Sequence, residues 1–372
     1  MRQILRQAMF PTGVISFARF MELALYCPDF GYYEREDVSP GRRGDFYTSV
    51  SVGPLFGELL AVQFAQWLEL PPIQPRQIVE AGAHDGRLAA DILGWLRANR
   101  PDVTNSIEYW ILEPSKFRRE SQEKTLTDFK GMLRWFDSWE KLPAGGVCGV
   151  IFSNELLDAM PVHRIAWDGA NQKWFEWGVA FEDGDFVWRK MPDIASAAMS
   201  GLNDLPRELL RVLPDGFATE ICPAAVQWWR HAARALRAGK LLTFDYGLMA
   251  EQFFTPERAE GTLRAYFRHH PSKNLLAQPG EQDLTAQVNF SAVMAAGEAE
   301  GLKTEAFTSQ GQFLTGVVEG KCCDNPAVKD WTPSRVRQFQ TLTHPEHLGR
   351  VFRVLSQARL PAGLQPGLAC NS

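Results

Sequence analysis

Apolar residues recur at helical spacing over residues 54–70, PLFGELLAVQFAQWLEL, and the segment PPIQP (71–75) then breaks the chain. Beyond it, short apolar runs alternate with amphipathic stretches. The pattern predicts strand RQIVEAG (76–82), helix DGRLAADILGWLRAN (85–99), strand IEYWILE (107–113), helix SKFRRESQEKTL (115–126) and strand GVCGVIFS (146–153). Strands alternating with helices of this length predict an α/β fold on a doubly wound parallel sheet. Between 162 and 191 the period changes to two, and KWFEWGVAFEDGDFVWRK reads as a β-hairpin around an Asp183-Gly184 turn. Residues 14–35 suggest a helix ending near Cys27-Pro28, and a further helix over 223–238 leads into strand KLLTFDYG (240–247). GTLRAYFRHH (261–270) and residues 279–290 look like a long decorated connection. The chain closes with an expected strand QFLTGVVEG (312–320), an expected helix near 346–359 and a loose tail of about a dozen residues rich in Pro, Gly and Ala.

Composition narrows the function without choosing it. The 372 residues suit one or two domains, and 45% hydrophobic with 22% charged residues is ordinary globular usage. A net charge of -5 offers no basic field for nucleic acid or an anionic membrane surface. Six cysteines without a C-x-x-C pair point to a reducing compartment and no structural zinc. His269-His270 and His344/His347 lack acidic or thiol companions at fixed spacing, so no metal is expected. With no signal or transit pattern at the N-terminus and no apolar run of roughly 18 residues, the expectation is a cytoplasmic protein that does not insert into membranes.

The chemistry concentrates where strand 76–82 meets the following helix, in IVEAGAHDGRL (78–88). Such a loop normally wraps a nucleotide-like cofactor. A dinucleotide fold would show G-x-G-x-x-G, whereas the spacing here is Glu80-x-Gly82-x-His84-x-Gly86. The Glu80 carboxylate would repel a pyrophosphate but could accept hydrogen bonds from a cationic amino-acid moiety such as the ammonium of S-adenosylmethionine. Glu113, ending the second strand, can accept both ribose hydroxyls of either cofactor class. A nicotinamide-dependent oxidoreductase is the rival opposed by Glu80 and the missing glycine pattern. Taken singly, each of these acids could equally be a solvated loop residue.

Many short blocks in one order carry a further resemblance: ISFARFMELALYCPDFGYY (15–33), GDFYTS (44–49), PLFGELLA (54–61), ILEPS (111–115), FSNELLDAMPVHR (152–164), FDYG (244–247), GTLRAYFRHH (261–270), PGEQDLTAQVNF (279–290), SQGQFL (309–314) and GRVFRVL (349–355). The chain resembles the MidA-like family of class I S-adenosylmethionine-dependent methyltransferases, whose mitochondrial members act as complex I assembly arginine methyltransferases. The resemblance implies a Rossmann-like seven-stranded sheet with an N-terminal helical segment and an inserted β-hairpin. Residues 1–71 would cover the site, and residues 72–372 would form the core with an insertion at about 162–222 and extended C-terminal elements.

The resemblance also assigns roles. S-adenosylmethionine would lie against Glu80, Gly82, Gly86 and Glu113, with Asp137 and Ser138 at the adenine and Asn154 at the end of the strand facing the methyl group. Asp45, Phe46 and Thr48 would form a lid over cofactor or substrate, and Tyr246 one wall of the substrate channel. Glu155 and Asp158 become the catalytic candidates, because a planar guanidinium with several donors is held best by paired acceptors. Asp45 and Glu58 stand behind them. The implied substrate is an arginine of a protein, such as a respiratory complex I subunit or its bacterial counterpart, and a homodimer is left open. The plainer alternatives are that Asn154 or Asp158 caps a helix, that Asp45 and Thr48 organise a turn, and that Asp137-Ser138 is a polar loop.

Three positions depart from the family pattern: His84 replaces the middle loop glycine, Ser51 stands where TSPE has its glutamate, and Gln287 replaces the histidine of DLTAHV. A side chain at 84 is expected to fit if its backbone keeps a negative φ. A methyltransferase fold that has lost catalysis and serves in binding or assembly is the alternative that His84 with Ser51 favours.

Overall fold

A computed structural model of the chain describes residues 1–35, 48–69, 76–199, 201–202, 205–268, 270–320 and 331–360. These residues pack as two compact units, one formed by those described within 52–154, 229–244 and 294–360 and the other by those described within 1–51, 155–228 and 245–293.

The first unit is built on a sheet whose main strands are β1 (Arg76–Ala81), β2 (Ile107–Leu112), β3 (Leu133–Phe136), β4 (Val147–Asn154), β5 (Leu236–Leu248), β6 (Lys303–Ser309) and β7 (Phe352–Arg359), with a short eighth strand, Val288–Asn289, paired in parallel to Gly247–Leu248. Their spatial order is β3-β2-β1-β4-β5-β7-β6. The pairs β1/β2, β1/β4, β2/β3 and β4/β5 are parallel, while β6 and β7 are antiparallel. Starting at β1 and reversing toward β4 is the doubly wound arrangement, in which ligands bind beyond the carboxyl ends of the strands. The central strands are apolar on both faces: Ile78, Val79, Tyr109, Ile111, Val150, Ile151, Phe152, Leu241 and Leu242 are all fully buried. Helix Leu55–Glu69 packs Phe56 edge-on against Phe244 with ring centroids 5.3 Å apart, and Phe64 against Phe152 at 5.0 Å.

In the second unit, strands Val14–Ser16, Lys173–Glu182, His163–Asp168 and Ala218–Ile221 lie side by side in that order, all antiparallel. Asp185–Lys190 completes the hairpin on Lys173–Glu182 through Asp183 and Gly184, both at positive φ. Helix Phe17–Tyr26, capped by Ser16, buries Phe17, Phe20, Met21 and Leu25 in a cluster with Val179, Leu263 and Leu284. A small antiparallel sheet joins Arg264–Phe267 to His270–Ser272 and Asp283–Thr285. No helix among the described residues is long and apolar enough to cross a membrane.

Four expectations are corrected. Val14–Ser16 is a strand rather than the start of the helix, since its β-branched pair Val14 and Ile15 faces Ala180 and Val179. The connection over 261–290 contains the small sheet just described. Residues 310–319 form a helix, because Ser309 accepts from the Gln312 amide while the Gln312 side chain reaches back to the Ser309 amide, a capping box. The expected terminal helix is only Leu348–Val351, and Phe352–Arg359 is β7. The tail at 361–372 lies outside the described residues.

Candidate functional site

The loop after β1 is a run of alternating left-handed residues: Gly82 at φ 72°, His84 at 47° and Gly86 at 84°. Glycine adopts this conformation freely, whereas a side chain there costs roughly 1–2 kcal/mol. His84 therefore does not keep the negative φ expected of it. The loop demands a left-handed residue at each alternate position, and histidine takes the middle one under strain. Its carbonyl accepts a hydrogen bond from Gln122 Nε2 at 3.1 Å, and burial holds its imidazole below the ordinary pKa. Gly86 precedes helix Arg87–Asn99, so the helix N-terminus opens on this loop.

Glu80 is 3% exposed, and its carboxyl receives the Tyr109 hydroxyl at 2.6 Å. Burial pushes it up to about 8, although the Tyr109 hydrogen bond works in the opposite direction. Near neutral pH the acid is thus mostly protonated, a state that an arriving ammonium would reverse.

Glu113 follows β2 and is also buried. Its Oε1 accepts from the Ser115 amide at 3.0 Å and its Oε2 from Gln122 Nε2 at 3.1 Å. These two bonds fix the orientation of the carboxylate. Beyond β3, Asp137 pairs with Lys141 at 2.6 Å, and Ser138 precedes the short 3-10 helix Trp139–Lys141. Asn154 is the last residue of β4. Two acids at successive strand ends and a left-handed loop before a helix suit a nucleoside carrying a cationic amino acid.

The next residue, Glu155, has φ 50° and opens a turn over 155–160 in which no helix forms. The helix-capping reading of Asn154 and Asp158 is therefore excluded. What holds the turn is Asp245: its Oδ2 accepts from the Leu156 and Leu157 amides at 3.2 and 2.8 Å, and its Oδ1 from the Tyr246 amide at 2.9 Å. Asp245 is fully buried, and burial raises it to about 7 against the lowering effect of those amides. Asp158, 6% exposed, is held well above the usual carboxylate range, first by burial and then by Asp245, Glu155 and Asp283, all of them acidic. Tyr33 donates its hydroxyl to Asp283 Oδ1 at 2.9 Å, and Tyr26 donates to the Ala159 carbonyl at 2.9 Å. Tyr246 is raised by burial and by Glu155, Asp158 and Asp245. Desolvated acids gathered in this way favour a cation that can donate to several of them.

The remaining candidates lie as follows. Thr48 is buried and locked with Ser51: its Oγ1 accepts from the Ser51 amide at 3.1 Å, and Ser51 Oγ accepts from the Thr48 amide at 3.0 Å. Asp45 and Phe46 fall outside the described residues. Glu58 is gripped by both terminal nitrogens of Arg335, at 2.5 and 2.8 Å, and so is engaged in holding two helices together. Among the described residues no group of three or more His, Cys, Asp or Glu side chains could hold a metal ion.

Sequence reasoning missed Gln122, the anchoring work of Asp245, and the pair Tyr33/Asp283. The last two stood inside quoted blocks, DFGYY and PGEQDLTAQVNF, which marked them without giving a role. Gln122 had no signal at all, being one polar residue in a strongly polar helix.

Comparison with known proteins shows the family. Residues 59–308 match the family described as "Putative S-adenosyl-L-methionine-dependent methyltransferase". A crystal structure from Burkholderia thailandensis with S-adenosyl-homocysteine bound is 32% identical, with a TM-score of 0.81 covering 96% of this chain and 91% of that one. The mitochondrial proteins named protein arginine methyltransferase NDUFAF7 homolog in Drosophila melanogaster and protein arginine methyltransferase NDUFAF7 in Rattus norvegicus are 29% and 28% identical, over 95% and 97% of this chain and 83% and 85% of theirs.

Proposed function

The chain belongs to the S-adenosylmethionine-dependent methyltransferase family, and from that premise we propose that it methylates an arginine side chain of a protein. The observation that carries the substrate assignment is the acidic turn directly after β4, in which Asp245 accepts from the Leu156 and Leu157 amides that lie between Glu155 and Asp158. The names of the curated relatives point the same way.

In this reading Glu80, the loop from Gly82 to Gly86 and Glu113 hold the cofactor, with Asn154 at its methyl end. Bound there, S-adenosylmethionine supplies an electrophilic methyl whose sulfur leaves with the bonding electron pair. Glu155 and Asp158 bind the guanidinium and aim one nitrogen lone pair. Because that nitrogen sheds a proton as it gains carbon, a carboxylate of the turn must be ionised to receive it. Asp245 keeps the turn in place throughout. Tyr246 forms one wall of the substrate channel, and Thr48 belongs to the covering segment.

Incubating the protein with labelled S-adenosylmethionine and a lysate of its source, followed by mass spectrometry, tests this reading directly. Label on arginine of one or a few proteins is expected, a respiratory complex I subunit being the first to examine. Label confined to lysine, small molecules or nucleic acid overturns it. A cytoplasmic location remains part of the proposal, although the curated relatives are named as mitochondrial.

His84 favours a second reading, a methyltransferase fold that binds partners without turnover. Calorimetric titration with S-adenosyl-homocysteine separates the two, since a loop spoiled by the strained histidine would not bind.

A further inference from the structure

Gln122 lies on helix Lys116–Thr125 and is fully buried. Its Nε2 donates to the His84 carbonyl and to Glu113 Oε2, each at 3.1 Å, and its Oε1 accepts from Trp135 Nε1 at 3.0 Å. The orientation of the amide is dictated by chemistry. An indole nitrogen can only donate, and a carbonyl and a carboxylate can only accept, so oxygen must face Trp135 and the NH2 group must face the other two. Both amide hydrogens are used. One side chain thus joins the loop after β1, the acid ending β2 and an indole on β3.

The two groups held by the NH2 are the two that need holding. His84 sits at φ 47°, which histidine would leave if its carbonyl were released. Glu113 must present its carboxylate in a fixed direction. We propose that Gln122 is a positioning residue for the cofactor, fixing the left-handed turn at His84 and the orientation of Glu113 without touching the ligand. The inference rests on the reading that this loop and Glu113 receive S-adenosylmethionine.

The test is calorimetric titration of S-adenosyl-homocysteine into the wild type, Gln122→Met, His84→Gly and the double variant. Losing hydrogen bonds to a charged group and to a strained carbonyl should weaken binding roughly 10- to 100-fold in Gln122→Met. His84→Gly alone gives the reference affinity of a loop in which glycine adopts positive φ unaided, against which the double variant is compared. In the double variant glycine no longer needs its carbonyl held, so a substantial part of the lost affinity should return. That rescue is what a merely structural glutamine would not produce. If Gln122→Met fails to fold, Gln122→Glu keeps the volume and sets a second carboxylate against Glu113. Its affinity should then lie below that of the wild type at the same pH, and the gap should narrow as pH falls and the pair takes up a proton.

Wild-type affinity in Gln122→Met, a double variant no better than Gln122→Met alone, or affinity equal to that of the wild type at every pH in Gln122→Glu each overturns the proposal. A wild type that does not bind S-adenosyl-homocysteine removes the underlying cofactor reading as well, which distinguishes that failure from the others.

Discussion

Tyr109 donates its hydroxyl hydrogen to Glu80 across 2.6 Å inside the sheet, so the first acid of the cofactor loop is also a buried member of the core. Its folded pKa of about 8 exceeds the ordinary 4.5, and the folded state binds the extra proton between those values. Its contribution to stability is therefore complete below about pH 4.5 and is lost as pH rises through about 8. Glu80→Gln should flatten that fall, giving a urea midpoint above that of the wild type at pH 9 and close to it at pH 5. An equal loss of midpoint at both pH values would show that the carboxyl is needed for packing whatever its charge.

The same carboxyl bears on binding. An ammonium held by Glu80 requires the ionised form, so S-adenosyl-homocysteine affinity should increase with pH up to about 8 and binding should release a proton. Calorimetry in buffers of different ionisation enthalpy measures that release. In Glu80→Gln affinity should drop and the proton release should vanish, whereas unchanged release would place the titrating group elsewhere.

Glu113→Ala should weaken cofactor binding by roughly 1–3 kcal/mol, the range for hydrogen bonds that involve a charged partner. Unaltered affinity in the folded variant would remove Glu113 from the ribose.

For the acidic turn, binding and turnover should separate. Glu155→Gln and Asp158→Asn should each keep S-adenosyl-homocysteine affinity within about twofold while methyl transfer falls roughly 10²-fold or more. Full transfer in both variants would take these carboxylates out of the mechanism. Glu58 would not succeed them, because Arg335 already occupies both of its oxygens.

Asp245→Asn offers a third handle on the same turn. An amide has one acceptor oxygen where the carboxylate uses two, and its NH2 group would face a backbone N–H. Transfer should fall by a factor comparable to Glu155→Gln, accompanied by faster hydrogen exchange at Leu156 and Leu157. Protection unchanged at those amides would mean that the turn holds itself.

The parallel core was legible because β1, β2 and β4 are short apolar runs separated by amphipathic helices, a pattern that local sequence states openly. The C-terminal strands were not. β7 carries Ser356 and Gln357 in the interior, where Gln357 is satisfied by Trp229 Nε1, the Met294 carbonyl and Thr304 Oγ1. Buried polar residues with distant partners break the period-two signal, and only the tertiary fold supplies those partners. Gly82 and Gly86 announced a turn, yet φ at position 84 is set by the loop as a whole and by Gln122, so no rule based on one residue could give it. Glu155 and Asp158 were visible as acids after a strand. That Asp245, some ninety residues later, holds their turn follows from the parallel pairing of β4 with β5 and could not be read locally.

The strand order of the core also bears on how this protein is made. Among these strands β7 is the last to be synthesised, yet it lies between β5 and β6, so they cannot pair in sequence from one end to the other as the chain leaves the ribosome. Until Phe352–Arg359 has emerged, β5 lacks its β7 partner and β6 has no neighbour. A nascent chain halted near residue 345 would hold every acid named above and still carry an open strand edge suited to pairing with another copy. Premature stop codons late in the gene should consequently yield insoluble protein rather than a shortened enzyme.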